Sequence, residues 1–138
     1  MRRFPTAVIA HFLCAALLCG CEGIGMRVIQ DPGRSQVLRV VSGDRIYFDL
    51  EENTTTGYAW DCICDDKDVE VTIDHVAADA AGLVGAPGRA EVRIRIHRGY
   101  DGPSTARFVY RRQWESSPPA REFTLTFYKR TGDVAFWE

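Results

Sequence analysis

The chain alternates. From Val37 onward, short runs place apolar side chains at every second position, and no window sustains the 3.6-residue apolar period of an amphipathic helix. Ile46, Phe48 and Leu50 share one face of Arg45–Glu51, with Tyr47, Asp49 and Glu51 on the other. Val69, Val71 and Ile73 alternate with Glu70, Thr72 and Asp74; Val92, Ile94 and Ile96 alternate with Glu91, Arg93, Arg95 and His97. Successive side chains of a strand point to opposite faces, so the pattern describes strands with one face buried. Val37–Val41, Tyr58–Cys64, Ala106–Arg111 and Phe123–Phe127 bring the runs to seven, separated by turn residues such as Ser42-Gly43-Asp44 and Asp65-Asp66-Lys67-Asp68.

Seven half-buried strands imply an all-β fold, an immunoglobulin-like antiparallel β-sandwich of about seven strands. No cysteine lies in the later strands to make a cross-sheet disulfide. The core must then rest on apolar burial, and Phe48, Trp60, Ile73, Val92, Ile94, Phe108, Leu125 and Phe127 are its expected members. Each such side chain is worth ~1.5–3 kcal/mol when fully buried. Composition fits one domain, with 46% hydrophobic and 26% charged residues. A formal net charge of −2 argues against a nucleic-acid partner.

The amino terminus reads differently. Arg2 and Arg3 precede Ala7–Gly20, which is almost wholly apolar and too short for a spanning helix of ~20 apolar residues. That is the layout of a secretory signal, residues 1–20. Its end, Leu18-Cys19-Gly20-Cys21, resembles the lipobox of bacterial lipoproteins, which implies cleavage before Cys21 and lipidation of that residue. An ordinary signal peptide cut near Gly20 or Gly25 is the alternative. Loss of Arg2 and Arg3 with the leader takes the formal charge from −2 to −4. Residues 21–35, carrying Gly23, Gly25, Pro32 and Gly33, read as a tether, and residues 36–138 as the domain. The expected location is the bacterial cell envelope, facing the periplasm or the exterior.

Three connections between the expected strands are unusual. The first, Asn53-Thr54-Thr55-Thr56-Gly57-Tyr58, is uncharged, and its β-branched threonines favour extended backbone. An extended segment with small hydroxyl side chains suits a narrow groove, although such a loop also serves merely to join strands. The second, Gly85-Ala86-Pro87-Gly88, sets glycines around a proline, so its backbone can approach another surface closely. The third opens with Arg111-Arg112-Gln113-Trp114, residue types enriched at interface hot spots. In a sandwich of this connectivity all three gather at one end, as a composite binding edge on a rigid scaffold.

This ordered set resembles the chagasin-like inhibitors of papain-family cysteine peptidases, whose loop motifs are Asn-Pro-Thr-Thr-Gly-Tyr, a Gly-rich segment and Arg-Pro-Trp. The resemblance spans roughly Val37–Lys129. It implies a reversible, tight-binding inhibitor that occludes the peptidase cleft with three loops and has no catalytic activity of its own. By that resemblance Thr55 faces the catalytic cysteine and Gly57 turns the first loop. The Gly85–Gly88 loop lies along one wall of the cleft, Trp114 packs near the catalytic histidine, and Arg112 sits at the rim. Thr54 and Gln113 replace the motif's prolines and remove two fixed φ values, so a less rigid first loop and weaker binding are expected. The rival expectation is a non-inhibitory envelope lipoprotein using the same loops on another protein.

Other residues carry less. Cys62 and Cys64 share an apolar strand face, and i, i+2 cysteines on an extended strand rarely reach disulfide geometry. They read as structural thiols; the competing reading, a metal site with His75, matches no zinc spacing. No cofactor, metal or nucleophile–base constellation is expected. Arg93, Arg95 and Arg98 read as a solvated outer sheet face balanced by nearby acids, with an anion site as the less favoured alternative. A monomer is the default for a sandwich that works through loops.

Overall fold

The computed structural model describes residues 25–77 and 87–131. Within them the chain forms β1 (Met26–Val28), β2 (Gln36–Val40), β3 (Arg45–Glu52), β4 (Tyr58–Cys64), β5 (Val69–Val76), β6 (Gly88–Ile96), β7 (Ser104–Arg112) and β8 (Arg121–Lys129). Two four-stranded sheets result, ordered β1-β3-β6-β5 and β2-β8-β7-β4. The sandwich expected from the alternation is present, with two additions.

First, β1 falls inside the stretch read as a tether. Three residues are too short to show alternation, and the surrounding glycines and proline read as linker. The strand is fixed from the side: Arg45 donates its N–H to the Gly25 carbonyl at 3.1 Å, and Ile29 donates to Tyr47 O at 3.3 Å. Asp44, only 1% exposed, accepts from Gly25 N–H at 3.3 Å and from Val41 N–H at 3.0 Å. Second, the sheets are not wholly antiparallel. β1 runs parallel to β3, and β2 runs parallel to β8.

The core obeys the parity of the strands. Ile46, Phe48 and Leu50 of β3 are buried, as are Ala90, Val92, Ile94 and Ile96 of β6. In register across the sheet, Ile46 meets Ile94 and Phe48 meets Val92. From the other sheet come Trp60, Phe108, Phe123, Leu125 and Phe127. Phe108 and Phe123 stack at 4.8 Å between ring centroids, and Phe48 meets Phe108 edge-on at 5.6 Å. Seven of the eight expected core residues are buried. Ile73 is half-buried, because β5 is the edge strand of its sheet and lacks a neighbour on one side. Tyr100, in the β6–β7 connection between Gly99 and Gly102, is also buried, and its hydroxyl donates to Phe127 O at 2.8 Å. One cluster of buried side chains runs from Val40 to Phe127 and draws on both sheets. The described residues of the two sheets thus close a core between them.

Strand register places three connections together. Glu52, the last residue of β3, lies opposite Gly88, the first of β6. Tyr58, the first of β4, lies opposite Arg112, the last of β7. The β3–β4, β5–β6 and β7–β8 connections thus share one end of the sandwich.

Candidate functional site

The first connection is a single 3-10 turn over Thr54–Thr56, not the extended segment that three β-branched residues suggest. Thr56 N–H donates to Asn53 O at 3.2 Å, and Gly57 N–H donates to Thr54 O at 3.0 Å. The hydroxyls add to this: Thr55 Oγ1 reaches Asn53 Oδ1 at 2.5 Å, and Thr56 Oγ1 reaches Asn53 O at 2.7 Å. Local side-chain hydrogen bonds of Thr and Asn compete with extended backbone, and here they prevail. They also tie the loop down without the proline that Thr54 replaces. Gly57 ends the turn at φ 79°, a left-handed conformation that a side chain would strain.

The third connection locks onto the first. A Cβ built on Gly57 would lie 2.1 Å from a ring carbon of Trp114, so the indole packs directly on the glycine backbone. Arg112 Nε donates to Thr56 O at 2.9 Å. Its guanidinium lies 4.6 Å from the Tyr58 ring centroid and pairs with Glu115 at 2.8 Å. That hydrogen bond holds the Glu115 carboxyl below the usual carboxylate range. Arg111 turns away and faces Asp61 at 3.5 Å. Of the two adjacent arginines, Arg112 is therefore the one that joins the loops. Gln113 and Trp114 form the turn closed by Glu115 N–H to Arg112 O at 3.2 Å. Trp114 is 71% exposed, the largest apolar side chain the site offers to a partner.

Of the second connection, Gly85 and Ala86 lie outside the described residues. Pro87 and Gly88 sit beside the first loop. Pro87, Asn53, Glu52, Tyr110 and Arg121 line a cavity of about 170 Å³.

Beneath the loops, Tyr58 and the core residue Trp60 join a layer completed by Tyr110, Arg121 and Glu52, which the sequence did not single out. Tyr110 accepts the Asn53 N–H on its hydroxyl at 2.9 Å. Its ring stacks on Tyr58 at 5.3 Å and lies 5.1 Å from Trp60. The Arg121 guanidinium covers both Trp60 and Tyr110, at 5.3 and 4.9 Å from their centroids. Glu52 is 1% exposed; it accepts His75 Nδ1 at 2.8 Å and Trp60 N–H at 3.3 Å. Position 52 continues the inward parity of Ile46, Phe48 and Leu50, so alternation alone points to its burial.

Cys62 and Cys64 are free thiols packed against the core. Burial, then the neighbouring Cys64 and Asp61, push the Cys62 thiol up to about 12; burial also raises Cys64. His75 is engaged by Glu52, and no group of three potential metal ligands occurs among the described residues. Because the thiolate is the reactive form, Cys62 is expected to alkylate with iodoacetamide more slowly than Cys64 at pH 8, as peptide mass mapping would read. Between pH 9 and pH 12 the folded Cys62 keeps its proton while an unfolded chain loses it. Stability therefore falls across that window, and a Cys62→Ala variant falls less steeply.

Three comparisons bear on this geometry. The model of the family described as "Chagasin family peptidase inhibitor I42" matches residues 39–127. Amoebiasin-2 of Entamoeba histolytica is 27% identical over 119 residues, covering 84% of this chain and 95% of the relative. Amoebiasin-1 of the same organism is 26% identical over 98 residues, covering 70% and 93%. Among solved structures, the cysteine protease inhibitor EhICP2 from Entamoeba histolytica superposes with a TM-score of 0.64 at 24% identity, over 76% of this chain and 96% of its own. The solution structure of Amebosin gives 0.58 at 26% identity, over 77% and 99%. The matched span runs from β2 to β8 and encloses all three loops.

Proposed function

The chain belongs to the chagasin family of peptidase inhibitors, and from that premise we propose that it is a reversible, tight-binding inhibitor of papain-like cysteine peptidases, occluding the active-site cleft with the β3–β4, β5–β6 and β7–β8 connections. The family's members are inhibitors, so the chain has no reaction of its own to catalyse. The observation that carries the proposal is the joint between the first and third loops: Trp114 seated on Gly57 and Arg112 bonded to Thr56 O.

A substrate enters such a cleft extended and offers a carbonyl to the nucleophile. A 3-10 turn closed by its own hydrogen bonds offers no extended backbone there. It fills the space over the nucleophile without presenting a bond in attack geometry. Because Asn53 already engages Thr55 and Thr56, little loop entropy remains to be lost on docking. Three loops are enough to build an interface of about 800 Å² per partner. Asn53, Thr54, Thr55, Thr56, Gly57, Tyr58, Pro87, Gly88, Arg112, Gln113 and Trp114 are the described residues assigned to that interface, with Gly85 and Ala86 completing it. The rival idea of a non-inhibitory envelope protein draws no support from the family match.

The same proposal places the domain at the cell envelope as a monomer, held by lipid on Cys21. Its support is the apolar leader ending in Leu18-Cys19-Gly20-Cys21. Titration of papain and a cathepsin-L-like enzyme with the domain beginning at Glu22 tests the inhibitory reading. A stoichiometric, reversible fall in activity is expected. Unchanged activity at micromolar concentrations of folded domain would overturn it. Release of the full-length protein from membranes by Cys21→Ser tests the anchor separately.

A further inference from the structure

The outer face of the β1-β3-β6-β5 sheet carries a charge pattern that inhibition does not use. Strand register fixes it row by row. At the end where the chain enters the domain, Arg45 of β3 lies directly opposite Arg95 of β6, and Tyr47 lies opposite Arg93. Toward the three loops, Asp49 lies opposite Glu91. Glu51 then lies opposite Arg89, which pairs with Glu91, so the face is net basic at the entry end and net acidic at the loop end. Like charges directly opposite one another weaken a sheet, so the Arg45–Arg95 row needs an explanation. Arg93 pairs with Asp74, and Glu70 pairs with His97 at 3.0 Å. No ion pair of Arg45 or Arg95 occurs among the described residues; Glu70 of β5 is in register with Arg95 and is itself paired with His97. An open depression of about 330 Å³ is lined by Arg45, Arg93 and Arg95 together with Tyr47, Thr72 and the Glu70 carboxylate. Its size suits a phosphate-bearing headgroup.

Beside it stands an exposed apolar edge. Met26 is in register with Arg45, and Val28 with Tyr47, so both point out from the same face. They are 74% and 70% exposed. Arginines around a shallow anion-sized depression, flanked by two bare apolar side chains, match the chemistry of a bilayer interface: phosphate at one depth and acyl chain just below. Met26 follows Cys21 by five residues, a reach of at most about 18 Å. The acidic Asp65–Asp68 turn leads into β5 at this same end, where His97 N–H donates to Asp68 O at 2.8 Å, but on the edge of the sheet farthest from β1.

We propose that this corner of the sandwich, built by β1, β3 and β6, is a membrane-contact surface that binds the phosphate headgroups of anionic lipid. The proposal extends the reading of Cys21 as a lipid anchor and gives the anchored domain an orientation. Arg45 sits on the bilayer, while Glu52 and the loops stand about 23 Å further along β3, the length of seven residues at ~3.3 Å each. The loops then face away from the membrane toward a peptidase. A chain of net negative charge is repelled by an anionic surface in most orientations, so one basic corner is enough to select a pose.

The test uses the domain beginning at Glu22, which carries no lipid and so does not depend on processing at Cys21. At low ionic strength it is expected to sediment with vesicles of equal phosphatidylglycerol and phosphatidylcholine, and not with phosphatidylcholine alone. Each arginine near an anionic surface is worth about fivefold in partitioning, so Arg45→Glu with Arg95→Glu is expected to weaken sedimentation at least tenfold without altering peptidase inhibition. Amide resonances of Met26–Val28 and Arg45–Tyr47 are expected to broaden on vesicle addition, with those of Thr54–Thr56 unaffected. The proposal is overturned if the paired reversal leaves sedimentation unchanged, if the loops broaden instead, if neither vesicle binds, or if inorganic phosphate at millimolar concentration occupies the site and vesicles do not. Failure of Cys21→Ser to release the full-length protein would refute the anchor and leave this result standing.

Discussion

A Trp114→Ala variant is expected to inhibit papain-like peptidases roughly 30- to 1,000-fold more weakly than the wild-type domain, with the melting temperature nearly unchanged. The indole is 71% exposed and rests on one side against Gly57. In the free domain it therefore contributes little burial, and exposed substitutions usually stay within about 0.5 kcal/mol. In a complex the free face has most of its area left to bury. A central Trp in an interface costs about 2–4 kcal/mol on truncation, which is the stated range in affinity. The readout is the inhibition constant for Trp114→Ala beside that for Val37→Ala. Val37 is also exposed, at 65%, but lies on β2 rather than on the loops, and its truncation should leave inhibition intact. Inhibition by Trp114→Ala within threefold of the wild type would remove the third loop from the interface.

The closeness of Trp114 to Gly57 gives this experiment a partner. Gly57→Ala puts a methyl where the indole ring now sits, at a backbone φ that disfavours any side chain. The indole must lift off, and the Arg112-to-Thr56 hydrogen bond must follow or break. Both loops change from a substitution in one, so losses from Gly57→Ala and Trp114→Ala should be strongly non-additive.

Some of this was legible in the residues and some was not, for identifiable reasons. Period-2 alternation located seven strands because one face of each is buried, and it placed Phe108, Leu125 and Phe127 inward. It missed β1, which is too short to alternate. It overstated Ile73, because parity tells which face a residue takes but not whether its strand has two neighbours. The three loop motifs were visible because turn and hot-spot residues stand out between strands. Their conformation was not: threonine propensity argued for extension, while Asn53 supplied acceptors that curl the loop into a turn. Nor was the support layer evident. Tyr110 and Arg121 look like an ordinary strand tyrosine and a loop arginine until β7 and β8 bring them over Trp60.

Removal of the His75 imidazole should reach the same loops from below. Glu52 ends β3, next to Asn53, and its carboxylate is fully enclosed. His75 Nδ1 stands 2.8 and 3.0 Å from its two oxygens, and the remaining donor, Trp60 N–H, is longer at 3.3 Å. His75→Ala would leave a buried carboxylate with one weak partner. Leaving a buried acceptor short of a partner costs about 1–3 kcal/mol. The His75 side chain is 40% exposed, so water can enter the vacated space, which sets the expectation at about 2 kcal/mol. Glu52→Gln should cost less, since a neutral amide needs less compensation and can still accept from Trp60 N–H. Urea unfolding of the two variants separates them, and equal losses would mean that packing rather than the buried charge sets the effect. The consequence extends to function because of where the pair sits. Glu52 and His75 join the end of β3 to the end of β5, the root of the first loop to the root of the second. His75→Ala should therefore weaken inhibition even when the variant is fully folded, whereas truncation of Ile73, on the same strand but away from that joint, should change stability and leave the inhibition constant alone.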